Sequence, residues 1–425
     1  MGGSGSSAFN QAMLVNRSRA LQFMREHGLD VIVATSPVNV TYFSGYYCWC
    51  DALFKEYMGS PGASSAPALI CAVFPAEGEP ALAVGPAFVL NARESWVRDL
   101  RLYSDFPLEW SAAAVPANDF ELQFVALLRD HPRYATAAHA LLAVLQERGL
   151  ADARIGLDSE NVSSATLNEI RSGLPKASIQ NCSNLIRLIR MVKTPEELKR
   201  LTRAAEINEQ AGFETFALAR AGGSAADLLQ SFRTRVANLG VHVDHYAYGL
   251  RGLGIFTEDE YRFSPNEVMY MDWGCVHRHY FADTAATLAL NNVPPVLFDK
   301  YEALRFCMDV GQKMMRPGVK GSAIQAAMAE ALKEHGVTAS FPHGHGLGLE
   351  PRDYPIMVPD NGLRIRDDCV NVASDLPMEE GMVNNLEASV FLPLVGSVAI
   401  EQSFIVEAAG ARALIPQNRN EPYIV

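Results

Sequence analysis

The chain has 425 residues, 49% hydrophobic and 20% charged, with a formal net charge of −12. That length suffices for two domains with complete cores, and the acidic balance argues against nucleic acid as the principal partner. Seven scattered cysteines without a C-x-x-C pair fit reduced thiols in a cytoplasmic protein, and no apolar run approaches the ~18 residues of a membrane span.

Residues 1–12, which open Met1-Gly2-Gly3-Ser4-Gly5-Ser6-Ser7, read as a flexible leader. Residues 13–28 are helical in pattern and stop at Gly28, and Asp30 to Thr35 is a buried strand. Ser36-Pro37-Val38-Asn39 reads as a turn. Strands follow at 68–74, 80–84 and 153–157, with helices at about 118–130 and 136–148. Helices alternating with buried strands predict an α/β domain over residues 13–186. Within it, 46–65 is an aromatic-rich loop, either packed on the surface or a lid over a site in this chain or a partner subunit. A second domain, 187–425, opens with Thr194 as N-cap, Pro195 at the first helical position and Glu197 closing a capping box. That helix is expected to run to about Ala221. Ser224 caps the next, and further helices are expected near 296–315 and 321–335. No repeat of 20–50 residues is visible.

Two strand-like stretches flank a polar turn at His277-Arg278-His279. Asp272 shares one face of the first with Tyr270 and Gly274; Asp283 shares one face of the second with Phe281, Ala285 and Thr287. A carboxylate in an apolar strand is costly unless paired or bound to metal. Further on, His345 lies in Phe341-Pro342-His343-Gly344-His345-Gly346, Glu387 in Gly381-Met382-Val383-Asn384-Asn385-Leu386-Glu387, and Glu401 in Val398-Ala399-Ile400-Glu401. Two Asp, one His and two Glu make a ligand set for two hard or borderline divalent cations. Such a pair suits activation of water.

These residues resemble the creatinase, prolidase and methionine aminopeptidase family, whose catalytic domain has the "pita-bread" fold. Asp272 and Asp283 keep that family's eleven-residue spacing, His345 matches the His of its G-H-G motif, and Glu387 and Glu401 match its two closing Glu residues. The resemblance covers roughly 187–410, with a weaker likeness back to residue 15. It implies a smaller creatinase-like N-terminal domain, two divalent ions (Mn, Co, Fe or Zn), a homodimer, and Glu387 serving both as ligand and in proton relay.

The chain also departs from that family. Arg352 stands where a proton-relay histidine follows the ligand His, and no histidine stands about fifteen positions before Asp272. Arginine cannot exchange protons near neutral pH, but it clamps carboxylates or phosphates, so Arg352 points to an anionic substrate group. His343 is a candidate for the missing proton transfer. His245, with His242, either lines the pocket or is a satisfied core residue. Asp353-Tyr354-Pro355 is similar to a segment of a dimethylsulfoniopropionate lyase of the same fold, in which an acid removes a proton alpha to a carboxylate. Asp353 and Tyr354 are therefore candidates for catalysis and substrate binding; the alternative is a plain turn. Three readings stand: a C–N hydrolase of a dipeptide or small amide, a metal-dependent lyase acting on a small carboxylate, and a metal-free scaffold. The intact ligand set argues against the last.

Overall fold

Residues 13–50, 53–257 and 260–425 are described by the computed structural model, so the leader expected at 1–12 lies outside the described residues. The chain is mixed α/β and divides into two units, Met1–Ile189 with Ile365–Val372, and Arg190–Arg364 with Ala373–Val425.

The first unit carries β1 (Val31–Ala34), β2 (Cys71–Pro75), β3 (Ala81–Val84), β4 (Asp99–Tyr103), β5 (Arg133–Tyr134), β6 (Arg154–Leu157) and β7 (Ser178–Asn181) in one sheet of order β5-β4-β3-β2-β1-β6-β7. Val31, Val33, Leu141, Leu145 and Ile155 belong to its core. The first helix, Arg17–His27, ends at Gly28 in a left-handed conformation with φ 65°, which glycine adopts without steric cost. The turn expected at Ser36–Asn39 is instead the start of a helix, Pro37–Ser44, with Ser36 as N-cap. Asn39 to Ser44 are all buried, so the segment has no polar stripe and no helical period to read. Loop 46–65 leaves Trp49 and Leu53 exposed.

The second unit repeats one plan: two helices, then a sheet that is antiparallel except where the edge strand Tyr423–Ile424 joins Tyr280–Ala289 in parallel. Helices Pro195–Phe216 and Ala225–Asn238 precede β8 (His242–Gly249), β9 (Ile255–Phe256), β10 (Val268–His277) and β11 (Tyr280–Ala289). Helices Pro295–Met314 and Gly321–Glu334 precede β12 (His343–Gly346), β13 (Asp353–Met357), a small pair β14 (Arg364–Arg366) and β15 (Asn371–Ala373), then β16 (Val383–Leu392), β17 (Gly396–Glu407), β18 (Gly410–Ala413) and β19 (Tyr423–Ile424). The main sheets run β19-β11-β10-β8-β9 and β13-β12-β16-β17-β18. The repetition is one of topology, which the sequence does not display. The expected capping box at Thr194 is present, and its helix stops at Phe216, earlier than expected.

The central hairpin β10–β11 is buried on both faces. Met269, Met271, Trp273 and Cys275 join the core that includes Ile207, Ala211 and Phe216 of helix Pro195–Phe216. Tyr270, Asp272 and Gly274 alternate with them and project the other way. The helix approaches closely at Gly212, where a Cβ would lie 2.3 Å from the Trp273 ring. Trp273 Nε1 donates to the Asn208 carbonyl at 2.9 Å, and Asn208 Nδ2 returns a bond to the Trp273 carbonyl at 3.1 Å. The two sheets are stitched at their inner strands. Thr287 Oγ1 donates to the Ala399 carbonyl and accepts from its N–H, while Ser397 Oγ accepts from Tyr270 N–H at 2.9 Å. This seam sets how far the acids of one sheet stand from those of the other.

Replacing Gly212 by Ala should cost about 1–3 kcal/mol by overpacking against Trp273, read as a lower denaturant midpoint. A midpoint at the wild-type value would mean the helix is not held against β10 this tightly.

Candidate metal centre

Register alone brings the first acids together. β10 and β11 pair with Asp272 opposite Ala285 and Gly274 opposite Asp283, so both aspartates emerge on one face. In the other sheet, His343 lies opposite Glu387 and His345 opposite Asn385, while Glu387 lies opposite Glu401. One face therefore carries His343, His345, Glu387 and Glu401. The seam between the sheets then joins the two sets. His345 Nε2 stands 3.6 Å from Asp283 Oδ2 and 3.8 Å from Glu401 Oε1. Two groups of potential ligand atoms result, each within 4.8 Å: Asp283-His345-Glu401, and His245-Asp272-Asp283. Asp283 belongs to both.

The protonation pattern follows from the surroundings. His345 is buried, and its Nδ1–H donates to the Gly346 carbonyl at 3.0 Å, which leaves the Nε2 lone pair for another partner. That Nε2 is buried and makes no hydrogen bond. Burial lowers the pKa of this imidazole, against the opposing pull of Asp283. Burial raises Glu401 well above the usual carboxylate range, reinforced by the charges of Asp283, Glu387 and Asp272. Burial likewise raises the Tyr270 phenol, and the Asp272 and Glu387 charges add to it. A buried imidazole nitrogen without a hydrogen bond, facing a crowd of carboxylates, matches the donor set of a divalent cation.

Supporting residues passed over in the sequence surround this set. Tyr270 shares its hydroxyl proton between Asp272 Oδ2 at 2.6 Å and Glu387 Oε1 at 3.3 Å. Asn385 Nδ2 donates to Glu401 Oε1 at 2.7 Å and to the Asp283 carbonyl at 3.2 Å, tying the acids of the two sheets together. Each lies two positions before a ligand candidate, hence on the same strand face, and that parity is a usable signal.

The other candidates fall out differently. His343 Nε2 stands 3.1 Å from Glu387 Oε2, and its Nδ1 is held 3.1 Å from the Phe341 carbonyl. Burial lowers its pKa, but the hydrogen bond and charge of Glu387, with the bond to the Phe341 carbonyl, together outweigh burial and leave it raised. Arg352 is exposed, and its charge acts on both His343 and His345. Tyr354 is half-buried and joined to Pro355 by a cis peptide. His245, expected to line the pocket as a substrate-binding residue or to sit satisfied in the core, lies against Asp272 and Asp283. Asp353, expected as a catalytic acid or base, is fully buried and committed elsewhere: it accepts from Arg190 Nη2 at 3.0 Å and from Lys193 Nζ at 3.3 Å. Burial raises this carboxyl, yet the two cations outweigh burial and hold it below its usual value. A carboxylate so paired is a poor proton acceptor, and the elimination reading loses its base.

Comparison with known proteins places the chain among the metal-dependent hydrolases. Residues 199–408 match metallopeptidase family M24, and residues 17–192 match the creatinase/prolidase N-terminal domain. The chain belongs to this family, with a pita-bread catalytic domain behind a creatinase-type domain. It is 22% identical over 412 residues to an Xaa-Pro dipeptidase of Lactobacillus helveticus, covering 93% of this chain and 95% of that one. In fold it resembles the X-Pro aminopeptidase of Thermotoga maritima, with a TM-score of 0.68, 18% identity and coverage of 96% and 99% of the two chains. The prolidase of Pyrococcus furiosus gives a TM-score of 0.65, 18% identity and coverage of 94% and 99%.

Asp353→Asn should cost about 3–5 kcal/mol by taking a carboxylate from buried Lys193 and from Arg190, which keeps its pairing with Glu350. The folded pKa lies below the unfolded one, so the stabilisation is full above the ordinary Asp value of ~3.9 and is lost as pH falls through the depressed folded value. Unfolding midpoints measured between neutral and strongly acidic pH should fall for the wild type and show less of that fall in the variant. Superimposable curves would contradict the paired state.

Proposed function

We propose that the chain is a two-cation dipeptidase cleaving the amide bond of small substrates that end in a free carboxylate. The observation that carries this reading is the sharing of Asp283 between two ligand groups. Asp272 and Asp283 would hold one ion, and Asp283, His345 and Glu401 the other, with Glu387 contributing from the strand between. Manganese, cobalt, iron and zinc suit this oxygen-rich set with imidazole. Divalent cations, when bound, supply Lewis acidity that activates water and polarises the amide carbonyl.

The protein's own groups do the rest. Glu387 accepts the proton lost from water at a carboxylate oxygen. His343, oriented by the Phe341 carbonyl and 3.1 Å from Glu387 Oε2, passes a proton towards the departing amine. Tyr270 and Asn385 keep the carboxylates in place. Arg352 acts as a fixed clamp for the substrate carboxylate, in the position where the family resemblance implies a relay histidine. The likeness to an Xaa-Pro dipeptidase along nearly the whole chain supports a dipeptide with C-terminal proline. A cytoplasmic homodimer completes the proposal. No disulfide joins the seven cysteines among the described residues, which suits a reducing compartment, and the dimer follows the family resemblance; no helix among the described residues is long and apolar enough to cross a membrane.

Protein purified without chelator should carry two metal equivalents by plasma spectrometry and turn over Gly-Pro or Ala-Pro with added manganese. Asp283→Ala or Glu401→Ala should abolish turnover. Two ions without turnover would reject a dipeptide substrate, and no ion would reject the reading entirely. Arg352→Ala should raise KM at least tenfold for the free dipeptide and little for its C-terminal amide; equal losses would rule out the clamp.

A further inference from the structure

His245 occupies a place that no residue of the five-ligand set accounts for. β8 pairs antiparallel with β10, with Gly274 opposite His245 and Asp272 opposite Ala247, so His245 projects onto the face of the two aspartates. The register shifts at the next step, where Cys275 lies opposite Val243 and Asp244 is left as the unpaired residue of a bulge. In an unbroken strand, Asp244 and His245 would point to opposite faces. The bulge lets the Asp244 carboxylate reach the ring of its own neighbour, with Oδ2 2.8 Å from His245 Nδ1. Room for the ring comes from Gly274, where a Cβ would lie 2.4 Å from His245 Cε1. The other nitrogen, Nε2, stands 2.8 Å from Asp272 Oδ1 and 3.4 Å from Asp283 Oδ1.

A carboxylate on Nδ1 fixes the tautomer and ring plane and aims the Nε2 lone pair, the arrangement that metal-binding histidines recurrently use. We infer that His245 is a sixth metal ligand, coordinating through Nε2 the cation held by Asp272 and Asp283, with Asp244 as its orienting carboxylate. The inference rests on the two-cation reading above. Each cation then has one imidazole: His345 from the second sheet and His245 from the first. A nitrogen donor on the first cation moves that site from an all-oxygen set, which suits Mg, Ca or Mn, towards the borderline metals. The rival arrangement is a doubly protonated His245 that pairs with the aspartates and itself occupies the first cation's place.

Full-length protein loaded with zinc alone distinguishes these by X-ray absorption and titration calorimetry. The expected wild-type result is two zinc ions with on average one imidazole per zinc. His245→Ala should halve the imidazole count and weaken one of the two zinc affinities at least tenfold. Asp244→Asn, which keeps the ring in place, should weaken the same affinity by about 10- to 100-fold. Two zinc ions with half an imidazole per zinc in the wild type would overturn the inference and leave the dipeptidase reading standing. One zinc with one imidazole would overturn it in favour of the imidazolium pair. No zinc at all would overturn both. The wild-type spectrum decides even if a variant fails to fold.

Discussion

Everything in the second unit answers to one electrostatic constraint: four carboxylates, Asp272, Asp283, Glu387 and Glu401, converge in a largely buried pocket. Like charges at that distance in a medium of reduced dielectric repel strongly, and burial of Glu401 at 2% exposure compounds the cost. Such a group is tolerated where cations or protons neutralise it and where the backbone holds each acid in place. The two long hairpins do the second task. Their ladders fix each side chain to a face, and a slip of one residue would send every ligand into the helix-packed core.

The supporting bonds share a logic. Asn385 spans from Glu401 to the Asp283 carbonyl, so the acid of one sheet is tied to the backbone of the other. The Tyr270 hydroxyl links the two sheets through side chains instead, donating to the carboxylates of Asp272 and Glu387. Further out, Arg190, Lys193, Asp353 and Glu350 form a buried to half-buried ion cluster beside the strand that carries His345. Gly348 leaves space for it, since a Cβ there would lie 2.6 Å from Asp353 Oδ2 and 2.8 Å from Lys193 Nζ. Asp353 thus belongs to the frame that shapes the segment bearing Arg352, and it serves that frame as an anion rather than the reaction as a base.

The loss of both relay histidines gives the site a different division of labour from that implied by the family resemblance. In the proposed mechanism proton transfer narrows to Glu387 and His343, which stand 3.1 Å apart. In the same proposal Arg352 offers a permanent charge in place of a movable proton, which suits binding an anion over delivering a proton. On the inference drawn above, His245 of β8 would add a nitrogen donor where the five-residue set offers only oxygen from Asp272 and Asp283.

Much of this was legible in order along the chain, because local chemistry writes itself into local patterns. The capping box at Thr194, the helix stop at Gly28 and the alternation around Asp272 each depend on residues within a few positions of one another. The candidates Asp272, Asp283, Glu387 and Glu401 stood out likewise as carboxylates set in apolar strands, and His345 through the motif it shares with the family. Other features had no local trace. Helix Pro37–Ser44 is buried on all sides and carries no period, and residues 365–372 join the first unit across nearly two hundred positions. The fate of Asp353 depended on Arg190 and Lys193, some 160 positions away, and that of His245 on a bulge that set Asp244 beside it and on a glycine across the ladder. The sequence by itself determined which residues could bear charge and which strand faces they take. Only the tertiary structure decided which charges meet, because that is settled by register, bulges and sheet packing between segments that share no local signal.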